Sequence, residues 1–151
     1  MHNTNSTEKR LMFVEEIKRL EGVPFVLQGR TPEGLDCAGL LAYAGRATGH
    51  KVPTQEDYSV TENYSERMLA HVAMSSRMLK DRDEWLIGDC MVFAIDELLN
   101  QVTHIAVLTS IEGDMIKFTH TTPRTQKVQE EILDAHWLPR LHSVWRPNWL
   151  T

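Results

Sequence analysis

The chain holds two cysteines and seven histidines, and one cysteine stands where a nucleophile is expected. Cys37 lies in Gly34-Leu35-Asp36-Cys37-Ala38-Gly39, a glycine-flanked turn that runs into a helical pattern. Cys90 lies in Gly88-Asp89-Cys90-Met91-Val92-Phe93, which reads as a buried strand. The thiolate, not the thiol, attacks a carbonyl, so a reactive cysteine needs a lowered pKa. A helix start supplies that through unpaired N–H groups and the helix dipole, and a nearby imidazolium supplies it through its charge. With Asp36 as N-cap, Cys37 falls in the first turn and gains the first effect, while the adjacent Asp36 carboxylate opposes it. Cys37 is the expected nucleophile and Cys90 a small core residue.

The base must come from elsewhere in the chain. His104 opens the apolar run Ile105-Ala106-Val107-Leu108, and a strand end anchored in the core is a rigid place for an imidazole. A third group should orient that ring by accepting its other N–H. His120 fits if the turn near Gly113 folds Met115–His120 back on His104–Ile111 in an even register. An odd register would put the two histidines on opposite faces. Thr119, Thr121 and His136 remain the other candidates for orienting the ring. Backbone N–H groups at the helix start, including that of Cys37, could form an oxyanion hole. The implied chemistry is acyl transfer, with Cys37 attacking an amide carbonyl and His104 shuttling the proton.

Positioning these groups requires helices followed by a sheet. Residues 1–6 are expected to be disordered, with Ser6 or Thr7 capping a first helix whose inner side is Leu11, Val14, Ile17 and Leu20. Gly22 and Pro24 stop it. Phe25 to Arg30 is extended and Thr31-Pro32-Glu33-Gly34 a turn. A second helix follows Asp36, with Cys37, Leu40, Leu41, Ala44 and Thr48 on one face and Gly49 at its end. Residues 50–60 are irregular. Thr61 is expected to cap a third helix with Met68, Leu69, Val72 and Leu79 inward, and Asp81–Glu84 to break it. Strands are expected over Cys90–Ile95, His104–Ile111, Met115–His120, Lys127–Ile132 and His142–Arg146, with a polar loop at Asp96–Gln101. This is an α+β pattern in one domain spanning residues 1–151.

Bulk properties narrow the function. The chain has 151 residues, 42% hydrophobic and 25% charged, with net charge −5. No Lys/Arg run is interleaved with aromatics, so no nucleic-acid partner is expected. No apolar stretch could span a bilayer, so no membrane partner is expected either. The polar start lacks the apolar segment of a secretory signal, giving an expectation of cytosolic synthesis without a Sec-type route out. No Cys-x-x-Cys or His-Glu-x-x-His spacing is present, so neither metal nor cofactor is expected. Trp137, Trp145 and Trp149 could stack on a sugar, though core packing is the commoner role.

The stretch Pro24-Phe25 … Gly29-Arg30-Thr31-Pro32-Glu33-Gly34-Leu35-Asp36-Cys37-Ala38-Gly39-Leu40 resembles the nucleophile motif of NlpC-type cell-wall peptidases. Gly88-Asp89 and its apolar strand, Thr103-His104-Ile105-Ala106-Val107-Leu108, and Phe118-Thr119-His120 resemble that family's later landmarks, in family order. The ending Trp137-Leu138-Pro139-Arg140-Leu141 … Trp145-Arg146-Pro147 is similar to the branch found in phage tails and gene-transfer particles. The resemblance implies a papain-like fold, with the nucleophile helix packed on an antiparallel sheet. It implies a cysteine peptidase hydrolysing peptidoglycan stem peptides, often between D-glutamate and a diamino acid. Carried over, Cys37 is nucleophile, His104 base and His120 orienting residue. Phe25, Gly29, Arg30, Asp36 and Thr103 are expected to bind substrate. Many members have Tyr where Phe25 stands, Ser where Ala38 stands and Gly-Gly where Gln28-Gly29 stands. The branch likeness suggests a phage or prophage tail lysin, with other tail proteins as partners. Two rivals remain: a tail-tip interaction protein with a vestigial site, and an acyltransferase or deamidase on the same scaffold.

Overall fold

The structure, a computed structural model, describes residues 5–52, 64–94 and 102–151, the side chains of 64–69 and 102–103 excepted. Helix α1 runs over Ser6–Arg19. Its cap is Asn5, whose side-chain oxygen accepts the Glu8 N–H, so residues 5 and 6 belong to the helix start and the cap lies one residue before Ser6. The buried side is Phe13, Val14, Ile17 and Leu20, while Leu11 is exposed. The inner stripe therefore centres on Phe13, which packs edge-on against Trp149; the expected stripe missed that residue and included Leu11.

The chain then turns at Gly22, with φ +91°. The expected extended piece at Phe25–Arg30 is broken: Pro24 and Phe25 form isolated bridges to Lys127 and Leu35, and Gln28 turns the chain with φ +62°. Strands β1 (Arg30–Thr31) and β2 (Gly34–Leu35) make a small hairpin, closed by the anticipated Thr31–Gly34 turn. Helix α2 spans Cys37–Ala47 and is capped by Asp36 as expected. Helix α3, Tyr64–Ser75, gives way to a short strand β3, Ser76–Met78. Leu79 is buried but lies beyond this strand, not on the helix. Arg82–Glu84 forms one tight turn where a charged break was expected. The expectations for Thr61, for most of 50–60, for Ile95 and for Asp96–Gln101 fall outside the described residues, as do those for the side chains of Met68 and Leu69.

The main sheet contains β3, β4 (Cys90–Ala94), β5 (Val102–Glu112), β6 (Met115–His120), β7 (Gln129–Ile132) and β8 (Leu141–Pro147). Its order is β3-β8-β4-β5-β6-β7, with every described pairing antiparallel. The last strand sits inside the sheet, between β3 and β4, and β3 takes the edge. Alternation along β5 divides its side chains between two cores. Val107 packs with Phe13, Ile17 and Leu40, and Ile105 with Cys90, Val92 and the start of α2. Ala106 and Leu108 pack on the other face with Met91, Phe93, Phe118 and Trp137. The architecture is the expected α+β arrangement of helices on an antiparallel sheet.

Candidate functional site

The start of α2 is built around one carboxylate. Asp36 is buried, with 2% exposure. Its Oδ1 accepts the Gly39 N–H at 2.7 Å and an Arg30 guanidinium N–H at 2.9 Å, and its Oδ2 accepts the Gln28 N–H at 2.8 Å. Arg30 also donates to the Gly29 carbonyl at 2.9 Å. The loop lies so close that a Cβ on Gly39 would sit 2.0 Å from the Gly29 carbonyl oxygen, and one on Gly29 would sit 2.2 Å from that of Gly34. Glycine at 29 and 39 is thus a packing requirement, and Asp36 and Arg30 hold the loop against the helix. Phe25 is half-buried, and the Thr103 side chain is not among the described ones.

Cys37 is held at this helix start as a free thiol. It packs against the cluster formed by Cys90, Val92 and Ile105, where the backbone N–H groups of Ile105 and Ala38 favour its thiolate. The Ile105 N–H belongs to the peptide joining His104 to Ile105, so Cys37 meets β5 one peptide from the candidate base. The protein surrounding the thiol, and secondarily the Asp36 charge, push its pKa up to about 11, with the two backbone N–H groups and Arg30 pulling the other way. Enclosure therefore outweighs the helix start. Cys90, 1% exposed, is a core residue beside it, its thiol also pushed up by burial.

The histidines meet on the sheet. Val107 pairs with Thr119 and Leu108 with Phe118. Extending that ladder one residue sets His120 across from Ala106, diagonal to His104 and on its face. The His104 Nε2 and His120 Nδ1 lie 2.7 Å apart. His120 is fully buried, packed against the rings of Phe118 and Trp137. Its Nε2 contacts a carboxylate oxygen of Glu131 on β7. This third member was not anticipated; the only trace in the sequence is its place on the strand beside the one that carries His120. Burial lowers the His104 pKa to about 3, assisted by His120, and lowers the His120 pKa to about 4, assisted by Arg124. At neutral pH the site holds a neutral thiol and two neutral imidazoles. Burial thus works against the thiolate that the helix start was expected to favour, because desolvation penalises charge.

The acceptor Glu131 fixes the direction of the chain of bonds. A carboxylate can only accept, so His120 carries its proton on Nε2 and presents a bare Nδ1. His104 then donates from Nε2 and keeps a lone pair on Nδ1. The other orienting candidates sit differently. Thr119 bonds Thr109 at 3.0 Å, the Thr121 hydroxyl is buried with no hydrogen-bond partner among the described residues, and His136 stacks edge-on with Trp137. No group of three or more His, Cys, Asp or Glu residues suited to a metal occurs among the described residues.

The model of the NlpC/P60 family matches residues 22–146. The chain belongs to the NlpC/P60 family. Solved structures agree on the fold. An NlpC/P60 family protein from Bacillus cereus superposes with TM-score 0.69 at 17% identity, over 94% of this chain and 40% of the other. The NlpC/p60 domain of the peptidoglycan hydrolase SagA superposes with TM-score 0.56 at 17% identity, over 89% and 96%. NlpC2 from Trichomonas vaginalis gives 0.63 at 18% identity, over 96% and 49%. The chain thus has the papain-like fold of NlpC/P60 structures, while spanning about two fifths of the B. cereus protein it matches. No curated protein matches the chain. As an NlpC/P60 domain it carries another built feature, at Gly88-Asp89. Asp89 is fully buried and pairs with Arg146 of β8 through two bonds, Nε to Oδ1 at 3.1 Å and Nη2 to Oδ2 at 2.9 Å.

Proposed function

We propose that the chain is a cysteine peptidase or amidase acting on peptidoglycan stem peptides, with Cys37 as nucleophile, His104 as base and His120 as orienting residue. The observation that carries this reading is the meeting on β5. Cys37, at a capped helix start, packs against the Ile105 cluster of β5 next to His104, and the His104 ring ends a directed chain to His120 and Glu131. Family membership and the likeness to the SagA hydrolase domain support the substrate class.

The neutral resting pair sets the mechanism. As the Cys37 sulfur bonds to the amide carbonyl carbon, the thiol proton passes to His104 Nδ1, and a nearby carbonyl-derived oxyanion is met by backbone N–H groups at the helix start. His104 returns the proton to the leaving amine as the C–N bond breaks. Water then adds to the thioester, giving up a proton to His104, and the thiol is restored. Asp36 and Arg30 shape the loop, and Phe25 and Gly29 border the same segment. The finer reading is a tail-associated lysin delivered by particle assembly, one domain working among other tail proteins. It rests on the pattern Trp137 to Pro147.

Zymography on purified peptidoglycan tests the proposal. Clearing by the wild type that Cys37→Ala abolishes is the expected result, with mass spectrometry showing one water added across the cleaved bond. A wild type without activity would favour the vestigial interaction protein, and products lacking that water would favour an acyltransferase.

A further inference from the structure

Trp137 stands where the histidine pair meets an open groove. Its indole packs edge-on against His120 with ring centres 5.2 Å apart, and lies 6.4 Å from the His104 ring. The same indole meets Phe93 and Phe118, each at 5.3 Å. Both phenylalanines are fully buried. Trp137 is half-buried, and with His104 it lines a groove of about 600 Å³. The indole therefore borders the two imidazoles on one side and solvent on the other. Its place is fixed by backbone bonds. Asp134 Oδ1 accepts the Trp137 N–H at 3.2 Å, the Trp137 carbonyl accepts the Arg140 N–H at 2.9 Å, and the Asp134 carbonyl accepts the Leu138 N–H at 2.8 Å. None of these bonds uses the indole, so a smaller side chain at 137 leaves the loop its frame.

The bond from His104 Nε2 to His120 Nδ1 is one that water can replace. A bare Nδ1 accepts from water as well as from an imidazole, and a His104 ring freed of its partner can turn or change tautomer. In a site closed to water the same bond is electrostatically stronger. We infer that Trp137 is a positioning residue: its indole keeps water off the His104–His120 bond and so holds the His104 ring in the orientation and tautomer that the mechanism uses. This rests on the hydrolase reading for its effect on rate, while the cover itself can be measured without any activity. Among the described residues, the charged and titratable groups that bear on the pair are Glu131 on β7, Arg124 after β6, His136 and Arg140 along the groove, and Cys37 beside β5. All of them remain when Trp137 is changed.

Nitrogen-15 NMR of the histidine rings between pH 7 and 5 tests the cover in the wild type, Trp137→Ala and Trp137→Phe. Burial holds the wild-type pair at about 3 and about 4, so both rings should stay neutral across this window. In Trp137→Ala, water admitted to the pair should bring at least one ring back towards the ordinary histidine value, so that it titrates inside the window. Trp137→Phe keeps a ring in place and should behave as the wild type does. Trp137→Gln, of intermediate size, carries the same expectation as Trp137→Ala and guards against a collapse of that variant. Kinetics on the stem peptide L-alanyl-γ-D-glutamyl-lysine supply the second readout. Trp137→Ala should lose about tenfold in kcat at pH 7 with KM little changed, as expected of a base no longer held in place. Its kcat should fall further towards pH 5, as the histidines protonate, where the wild type stays level. Ring titrations in the Ala and Gln variants that match the wild type would overturn the inference. A loss confined to KM would overturn it too, making Trp137 a stacking surface for substrate. A wild type without activity, together with the expected change in titration, would remove the hydrolase reading and leave the cover standing.

Discussion

Two buried aspartates, each paired with an arginine, hold this molecule together in different ways. Among the described partners of Asp36 are Gln28, Arg30 and Gly39, within a dozen residues of chain. Asp89 bonds the Leu86 N–H at 2.8 Å and reaches across 57 positions to Arg146, which also donates to the Glu84 carbonyl at 2.6 Å. The first clamp presses a loop onto a helix and presents Cys37. The second fastens the last strand into the middle of the sheet. A local clamp can fail while the sheet survives, whereas failure of the long-range clamp releases an interior strand. Burial raises the Asp89 carboxyl pKa despite the arginine, so this pair sits in costly surroundings and depends on both partners staying.

The sharpest way to break the contrast is Asp89→Asn. It leaves Arg146, only 8% exposed, as a buried charge without its counterion, a loss on the order of 3–5 kcal/mol. For a chain of this length that corresponds to a fall in Tm of roughly 10 °C, to be read by calorimetry. A shift of only a degree or two would show that Arg146 finds water or another partner. Asp36→Ala should cost less, about 2–3 kcal/mol: one helix cap at about 1 kcal/mol, plus the backbone and Arg30 partners left behind. Its signature is disproportion. Activity should drop by far more than the unfolding curve implies, because the helix start carrying Cys37 loses its tether. Proportionate losses in both would make Asp36 an ordinary fold residue.

The same contrast explains what could be read from the sequence. Asp36 as cap, the Thr31–Gly34 turn and the Met115–His120 strand are set by short-range rules, and each is found where spacing placed it. The even register at the histidines is not set by the turn at Gly113: beside it Glu112 pairs with Met115 and Ile111 with Ile116, an odd register, and the bulge between Leu108 and Ser110 shifts the ladder so that His120 shares the face of His104. Leu11 and Phe13 were exchanged because helical periodicity gives a stripe but not its rotation, which is set by Trp149 from the far end of the chain. Arg146 and Glu131 were missed for the same reason. Each is an unremarkable charged residue until the sheet order sets it beside Asp89 or His120. The electrostatics of the thiol were misjudged because a helix start was weighed without the desolvation that packing against β5 imposes.

A titration separates the histidine face from both clamps. In the unfolded chain His104 and His120 would titrate near the usual 6.5; in the fold they titrate at about 3 and about 4. Below pH 6.5 the unfolded state therefore binds protons that the native state refuses, and stability falls as pH drops from there towards 4. The slope is at most about 1.4 kcal/mol per pH unit for each ring. Urea unfolding at pH 7, 6 and 5 should show it, and His104→Gln should flatten it. A stability that is level from 7 to 5 would mean the rings are solvated. The raised Cys37 pKa adds a companion result: iodoacetamide should label the resting protein slowly below pH 7.

The smallest effect belongs to Glu131, and it bears on direction rather than strength. As a carboxylate, Glu131 admits only one tautomer of His120 and, through it, one of His104. Glu131→Gln keeps the shape but adds a donor. Its amide can turn its NH₂ towards His120 Nε2, which moves the His120 proton to Nδ1 and forces His104 to accept at Nε2. His104 then carries its proton on Nδ1 and cannot take one from Cys37. Catalysis should fall about tenfold, equivalent to about 1.4 kcal/mol, chiefly in kcat, with Tm nearly unchanged. Nitrogen-15 NMR of the histidine rings supplies the readout that a merely structural role would not move. The wild type should show an unprotonated His104 Nδ1, and the variant a mixture. Identical ring spectra in the two proteins would mean that the tautomer is set by something other than β7, and that the long-range partner of the histidines is as passive as the local clamp at Asp36 is active.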